Sequence, residues 1–379
     1  MKITMLHYHL RPGGITTVIR NAQKALAGRA TLRRGRDSRT YATERVLPVE
    51  VLADFGYHDD PRTFHRLVRA YLRQLPRTGI LHTHNIGLGK NPALSSAVRQ
   101  LADTGVRILN QVHDFPEDNR PAQLRALRQH RDWQALCYYD LPNVRWATLT
   151  SHDADRLAAR GIPKEKITVL PNPIDTAFFK RPCRVDARPV IAAYAAEHGY
   201  RFDPRKKIIL APVKVMVRKN NAEAVELIKH LPGYQLIISL DASSPRDQAY
   251  SAKLKRLVRR AKLPVIIGCG AAFADPLPLF HAAHAILTTS TQEGFGYTFL
   301  EGWLAGKLVV GRDLPEVTKD FHAAGVHLDH LYRVPDPVAL RRLLARPDTA
   351  LIAHNRRVVQ RQYSLAAYAR RLRAIYAQF

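Results

Sequence analysis

The chain has 379 residues, 46% of them hydrophobic and 24% charged, a globular composition with room for two domains of ordinary size. No run of about 18 apolar residues is present, so no membrane span is expected, and the opening MKITMLHYHL is too short an apolar run, broken by His7 and His9, for a secretory leader. Lys and Arg number 59 against 32 Asp and Glu, and the net charge of +27 draws polyanions, anionic lipid and phosphorylated small molecules; no RNA-binding or helix-turn-helix signature accompanies it, so specific nucleic-acid binding is not expected.

KITMLHYHL reads as a first strand and RPGGITTVIRNAQKAL as a glycine turn that opens a helix. A helix start directly after an apolar strand presents unpaired N–H groups and a positive dipole end, so Gly13 and Gly14 form a candidate approach for a phosphate or sugar. The dinucleotide spacing G-x-G-x-x-G is absent. An Arg-rich connection, with TLRRGRDSR at 31–39, leads to VEVLAD (49–54) as a strand, PRTFHRLVRAYLRQL as a helix and GILHTHN as a strand. NPALSSAVRQLADTG then makes a helix stopped by Gly105, and VRILNQVHDF another strand. Such alternation specifies a parallel sheet covered by helices, with ligands at the carboxyl ends of its strands. His82, His84 and Asn85 stand at one such end, and His113 with Asp114 at another. His82 and His84 face the same way on their strand, but no third ligand accompanies them, and no metal site is expected. The stretch GLGKN (87–91) lacks the Ser or Thr of a phosphate loop.

The polar segment 116–143 comes next. WATLTSHDADRLAARG follows as strand, Ser151 cap and helix stopped by Gly161, and ITVLPNPIDTAFF as a strand with a proline-rich end. The proline- and charge-rich stretch 179–189 places a domain boundary near residue 180. Beyond it KKIILAPVKV, YQLIISLD, LPVIIGC, HAILTTS and KLVVGRD restart the alternation. Lys214 and Lys219, with Arg218 beside the second, follow the first of these strands, and two cations there would anchor a diphosphate. QEGFGYTFLEGWLAGKLVV (292–310) reads as a loop, a helix from Thr298 and a buried strand. Gly294 and Gly296 allow close backbone approach, the helix start suits a phosphate, and Glu293 and Glu301 can accept hydrogen bonds from sugar hydroxyls on either side. A ligand with a phosphate centre and polyol ends, such as a nucleotide-sugar, fits this combination. The last segment, SLAAYARRLRAIYAQF, has Ser364 as cap and apolar residues at helical spacing. Cys137, Cys183 and Cys269 lie far apart without metal-type spacing, as expected of reduced thiols in a cytoplasmic protein.

The Gly13–Gly14 turn, His113-Asp114, the Lys214/Lys219 pair and Glu293 and Glu301 around Gly-Phe-Gly resemble, in this order, the motifs of the retaining nucleotide-sugar glycosyltransferases of family 4. The resemblance implies the glycosyltransferase B fold, an α/β class of two doubly wound Rossmann-like domains facing a central cleft. Residues 1–180 would form the acceptor-side domain, 181–363 the donor domain, and helix 364–379 would pack back on the first. It further implies a donor site of Gly13, Gly14, Lys214, Lys219, Glu293, Gly294, Phe295, Gly296, Tyr297 and Glu301. Catalytic roles fall to His113 over the transferred sugar and to Glu293, Lys214 and Lys219, with His84, Asn85 and Asp114 on the acceptor side, which the polar segment 116–143 is expected to shape. Lys214 departs from the arginine of the pattern, and Pro173 from a glycine. No cofactor or metal is expected beyond the donor substrate. The acceptor stays open, with anionic or lipid-linked compounds favoured by the charge and a peripheral place at the inner membrane face as one consequence. Two other readings are a nucleotide-sugar epimerase or hydrolase on this fold and a basic polyanion-binding protein with a decayed sugar site.

Overall fold

The computed structural model of the chain describes residues 2–10, 13–26, 30–35, 49–52, 55–118 and 121–379. Arg11 and Pro12 of the first turn, residues 36–39 of the basic cluster and the last two residues of VEVLAD lie outside them. The chain forms two compact units, Met1–Ile174 with Tyr363–Phe379, and Asp175–Gln362.

In the first unit, seven strands pair in parallel: β1 (Ile3–His7), β2 (Ala30–Gly35), β3 (Val49–Leu52), β4 (Ile80–His84), β5 (Arg107–Val112), β6 (Val144–Thr148) and β7 (Ile167–Val169). Their order is β3-β2-β1-β4-β5-β6-β7. The stretch ATLRRG, expected to be part of a connection, is β2, because its backbone ladder to β1 and β3 outweighs its composition. On one face of the sheet, helices Phe64–Gln74 and Pro92–Asp103 supply Leu67, Tyr71, Leu94 and Leu101 to a core that includes Leu6, Leu81 and Ile108. On the other face, Met5, Ile80 and Leu109 meet Ile19 of helix Gly14–Ala25 and Tyr368, Leu372 and Ile375 of the final helix, Leu365–Tyr376. Ser364 caps that helix by accepting from Ala367 N at 3.3 Å. Each buried aliphatic side chain on it contributes roughly 1.5–3 kcal/mol, so the last helix is an integral part of this unit.

The break between units falls after Ile174 rather than at 180. The Pro-Asn-Pro stretch is tied to the first unit by Asn21, which donates to Pro173 O at 3.2 Å, and Ile174 N donates to Tyr363 O at 2.7 Å. The charged stretch beyond it is inside the second unit, where Phe179 packs edge-on against Phe280 at 5.4 Å and Asp186 caps helix Ala187–Glu197. Helix Ser151–Ala158 is capped by Thr150, one residue ahead of the expected Ser151, because Thr150 Oγ1 accepts from Asp153 N at 3.1 Å.

The second unit holds β8 (Lys207–Lys214), β9 (Tyr234–Leu240), β10 (Val265–Ile267), β11 (Ala283–Thr288) and β12 (Leu308–Gly311), all parallel in the order β10-β9-β8-β11-β12. Helix Thr298–Leu304 lies directly on β11 and β12: a Cβ on Gly302 would stand 2.5 Å from Val309 Cγ2 and 2.9 Å from Ile286 Cγ1. In both sheets the chain reverses its winding at a central pair, β1 and β4 in one and β8 and β11 in the other. Doubly wound sheets bind ligands outside the carboxyl ends of such a pair.

Candidate functional site

In the second unit the loops after β8 and β11 are laced together. Thr291 N donates to Arg218 O at 2.9 Å, and Thr289 Oγ1 reaches Lys219 O at 3.0 Å. Lys219 closes a single 3-10 turn, Val217–Lys219, and Asn220 then takes the left-handed conformation with φ 48°. Asn220 Nδ2 donates to Glu223 at 2.9 Å, and that carboxylate is held in turn by Arg312 and by Tyr332 Oη at 2.7 Å. This bracing aims Lys219 at Glu293, with which it forms an ion pair. Arg218 Nη1 reaches the other carboxylate oxygen at 3.1 Å, and Ser290 Oγ donates to the first at 2.6 Å.

The Glu293 side chain is 7% exposed and that of Lys219 12%. Burial pushes the Glu293 carboxyl up, but Lys219 and Arg218 together outweigh it and leave the group below its ordinary value. Burial lowers the Lys219 ammonium, and Glu293 opposes that most strongly. Glu301, on the helix after the glycine loop, is pushed up to about 7 by burial against a smaller pull from Lys219. It therefore titrates near neutrality, whereas Glu293 stays ionised. Lys214 does not join this cluster; its Nζ lies 3.4 Å from Ser243 Oγ. Gly296 has φ 85°, and Phe295, expected beside the ligand, is a core residue instead, 4% exposed and edge-on to Phe321 at 5.7 Å.

In the first unit, Asn85 follows β4 in the left-handed region with φ 56°. Its Oδ1 accepts from His113 N at 2.6 Å and from Asp114 N at 3.1 Å, while its Nδ2 donates to Asp114 Oδ2 at 3.0 Å. The ends of β4 and β5 are thus locked together. Gly13 and Gly14 are exposed at the start of their helix and share a pocket of about 160 Å³ with Asn85, Asp114, His9 and Lys90. His84, expected to face the acceptor, is instead fully buried, its Nδ1 3.0 Å from His113 Nε2. The reason is its inward position on a central strand, between the stacked ring of His82 at 4.5 Å and the ring of His113. His82 is itself placed by Tyr376 Oη at 2.8 Å and Gln111 Oε1 at 3.1 Å. The segment expected to shape the acceptor side contributes partly to the core, with Cys137 and Tyr139 buried. Among the described residues no group of three or more His, Cys, Asp or Glu side chains converges as a metal ion requires.

The expected residues therefore separate by unit. Glu293 and Lys219 are brought into contact, with Glu301 near enough to Lys219 to feel its charge, and Asn85, His113 and Asp114 are bonded to one another. Arg218 stands out in the sequence beside Lys219, whereas Ser290, Glu223 and Arg312 were not among the expected residues. Ser290 is three residues from Glu293 and could have been found that way; Arg312 lies 89 residues from Glu223 and carries no local signal.

Comparison with known proteins adds a family and a fold. Residues 12–178 match the model described as Glycosyltransferase Family 4. A mannosylglucosyl-3-phosphoglycerate synthase of Petrotoga mobilis is 31% identical over 337 residues, covering 84% of this chain; the chain spans 66% of that protein, just under two thirds of its length. The structure of HepE from Anabaena with UDP and glucose matches with a TM-score of 0.74 at 14% identity, over the whole of both chains. Sucrose-phosphate synthase from Thermosynechococcus elongatus matches at 0.69 and 19% identity, over 100% of this chain and 98% of that one. No helix of the described residues is long and apolar enough to cross a membrane.

Proposed function

The chain belongs to glycosyltransferase family 4 and has the glycosyltransferase B fold, and from that premise we propose that it moves a hexosyl group from a nucleotide diphosphate sugar to an anionic acceptor, with retention at the anomeric carbon and without a metal ion. The observation that carries the proposal is the pairing of Lys219 and Arg218 with a buried Glu293 at the winding reversal of the second sheet. Two cations held there match a diphosphate, whose charge-assisted contacts are worth roughly 1.5–3 kcal/mol each. Lys214, the last residue of β8 and outside that cluster, is assigned to the diphosphate as a third cation. The charge that develops on the departing diphosphate is carried by these side chains, and the phosphate itself takes the acceptor's proton on the same face. Glu293, clamped by two cations and Ser290, has little basicity left and serves to hold sugar hydroxyls, not to attack. Glu301 is assigned to the ribose hydroxyls. In the first unit, His113 is assigned to the transferred sugar and the Gly13–Gly14 turn to the phosphate.

The acceptor reading is a sugar joined to phosphoglycerate. The name of the Petrotoga relative supports it, as does the net charge of +27, which suits an anionic small molecule as well as a lipid surface. The solved relatives with UDP support a nucleotide donor.

Thermal unfolding with UDP, GDP, ADP and TDP in parallel is the first test. A ligand at 100 times its dissociation constant adds about 2.7 kcal/mol, and the responding base names the donor. Turnover of the matching nucleotide-sugars with glucosyl-3-phosphoglycerate follows. Product formed only when acceptor is present supports transfer; donor consumed without acceptor would indicate an epimerase or hydrolase; no response to any nucleotide in folded protein would reject the proposal. Lys219→Met should lower nucleoside diphosphate affinity roughly 10–150-fold.

A further inference from the structure

Four histidines, His7, His82, His84 and His113, are buried side by side at the ends of β1, β4 and β5. Each has at least one ring nitrogen fixed by a neighbour, and the partners determine where the protons sit. His7 Nδ1 faces the carbonyl of His84 at 2.9 Å, which can only accept, so His7 carries its proton on Nδ1. His82 Nε2 donates to Gln111 Oε1, which leaves His82 Nδ1 to accept from Tyr376.

The pair His84 and His113 is the informative one. Their ring centroids are 5.3 Å apart with planes within 24°, the disposition of two imidazoles joined edge to edge, and a single proton lies between His84 Nδ1 and His113 Nε2. Burial keeps both rings neutral, His84 well below its usual value and His113 at about 4. His84 Nε2 is sealed from solvent and has no hydrogen-bond partner among the described residues. If His113 donated, the one proton left to His84 would sit on that nitrogen as a buried, orphaned N–H. If His84 donates, the orphan is a bare lone pair, and buried N–H groups without partners are the rarer of the two defects. His113 Nδ1 makes no hydrogen bond to a described residue and is not among the sealed atoms.

We propose that His84 is a positioning residue: it donates from Nδ1 to His113 Nε2 and so holds His113 with its proton on Nδ1, as a hydrogen-bond donor toward an oxygen of the sugar donor and not as a base. This rests on the assignment of His113 to the transferred sugar.

The test is the imidazole proton–nitrogen correlation spectrum of uniformly ¹⁵N-labelled protein, with His113 identified by its loss in His113→Ala. The wild-type His113 is expected to carry its proton on Nδ1. His84→Leu should let the proton move to Nε2. His84→Asn, whose amide can donate from nearly the place of Nδ1, should restore the original tautomer. Turnover should fall about tenfold in His84→Leu, the size of one ordinary hydrogen bond lost, with nucleoside diphosphate affinity unchanged, and should recover at least in part in His84→Asn. A wild-type His113 protonated on Nε2 overturns the inference, and this measurement needs no His84 variant to fold. A tautomer unmoved by His84→Leu also overturns it. If the tautomer behaves as stated but His113→Ala keeps full turnover, the sugar assignment fails and takes the functional half of the inference with it.

Discussion

Glu293→Gln keeps the size and hydrogen-bonding oxygen of the side chain and removes only its charge. The variant leaves Lys219, whose side chain is 12% exposed, without its counter-charge. Breaking a buried pair by removing one partner costs about 3–5 kcal/mol, while Arg218, with 39% of its side chain exposed, contributes well under 1 kcal/mol. For a unit of this size about 1 kcal/mol shifts the unfolding temperature by roughly 2–4 °C, so calorimetry at pH 7 should show the second unit's transition lowered by roughly 6–20 °C. The folded-state carboxyl sits below its ordinary 4.5, so its contribution is present above that value and is lost as the pH falls through the depressed one. The deficit of Glu293→Gln should therefore shrink in acid. Removing Lys219 as well should recover stability, because the double variant Lys219→Met/Glu293→Gln strands no lone buried ammonium. In function, turnover should fall roughly 10–150-fold, and nucleoside diphosphate affinity should fall with it at high pH, where Lys219 without its carboxylate partner gives up its proton more readily. A Glu293→Gln protein within 2 °C of wild type at pH 7, or a double variant no more stable than the single, would refute the buried-pair reasoning.

Glu301 has the opposite sign. Its folded value is raised from 4.5 to about 7, so its contribution is complete below pH 4.5 and lost as the pH rises through 7; wild type should lose stability over that window relative to Glu301→Gln in thermal melts. If Glu301 holds the ribose as proposed, its hydroxyls would donate to the ionised carboxylate, and nucleoside affinity measured by calorimetry should rise through pH 7 in wild type and stay level in Glu301→Gln. Gly302→Ala drives a methyl into Val309 and Ile286 and should cost about 1–3 kcal/mol in urea unfolding of the second unit. Chelation with EDTA should leave turnover unchanged once a substrate pair is known, since Lys214, Arg218 and Lys219 are assigned the diphosphate charge; loss of activity restored by a divalent cation would contradict that assignment.

The α/β alternation could be read from sequence because each strand of the second unit is a short apolar run bounded by turn residues, and all five expected runs are strands. Strand β2 could not, since ATLRRG has no apolar periodicity and depends on pairing with β1 and β3. At the site, residue types near one another in the chain were readable, as with Glu293 and Glu301 around the glycines. Long-range partnerships were not. Nothing local says that His84 turns inward onto His113, that Phe295 belongs to the core, or that Arg312 crosses to Glu223. Burial is decided by what packs on a residue from elsewhere, and a single sequence does not carry that.

On the proposed diphosphate role, the pairing of Lys219 with Glu293 also accounts for how a lysine would wait for a phosphate in a nearly closed position. A buried ammonium tends to lose its proton, and burial is the largest influence on Lys219. Glu293 is the largest opposing one, so the carboxylate keeps the cation charged before any ligand arrives. A diphosphate bound as proposed would then meet a cation that is already formed and already aimed, with the ordering cost met by folding, through Asn220, Glu223, Arg312 and Tyr332. The net charge of +27 could not indicate this arrangement, because what prepares the site is one buried negative charge among the positive ones.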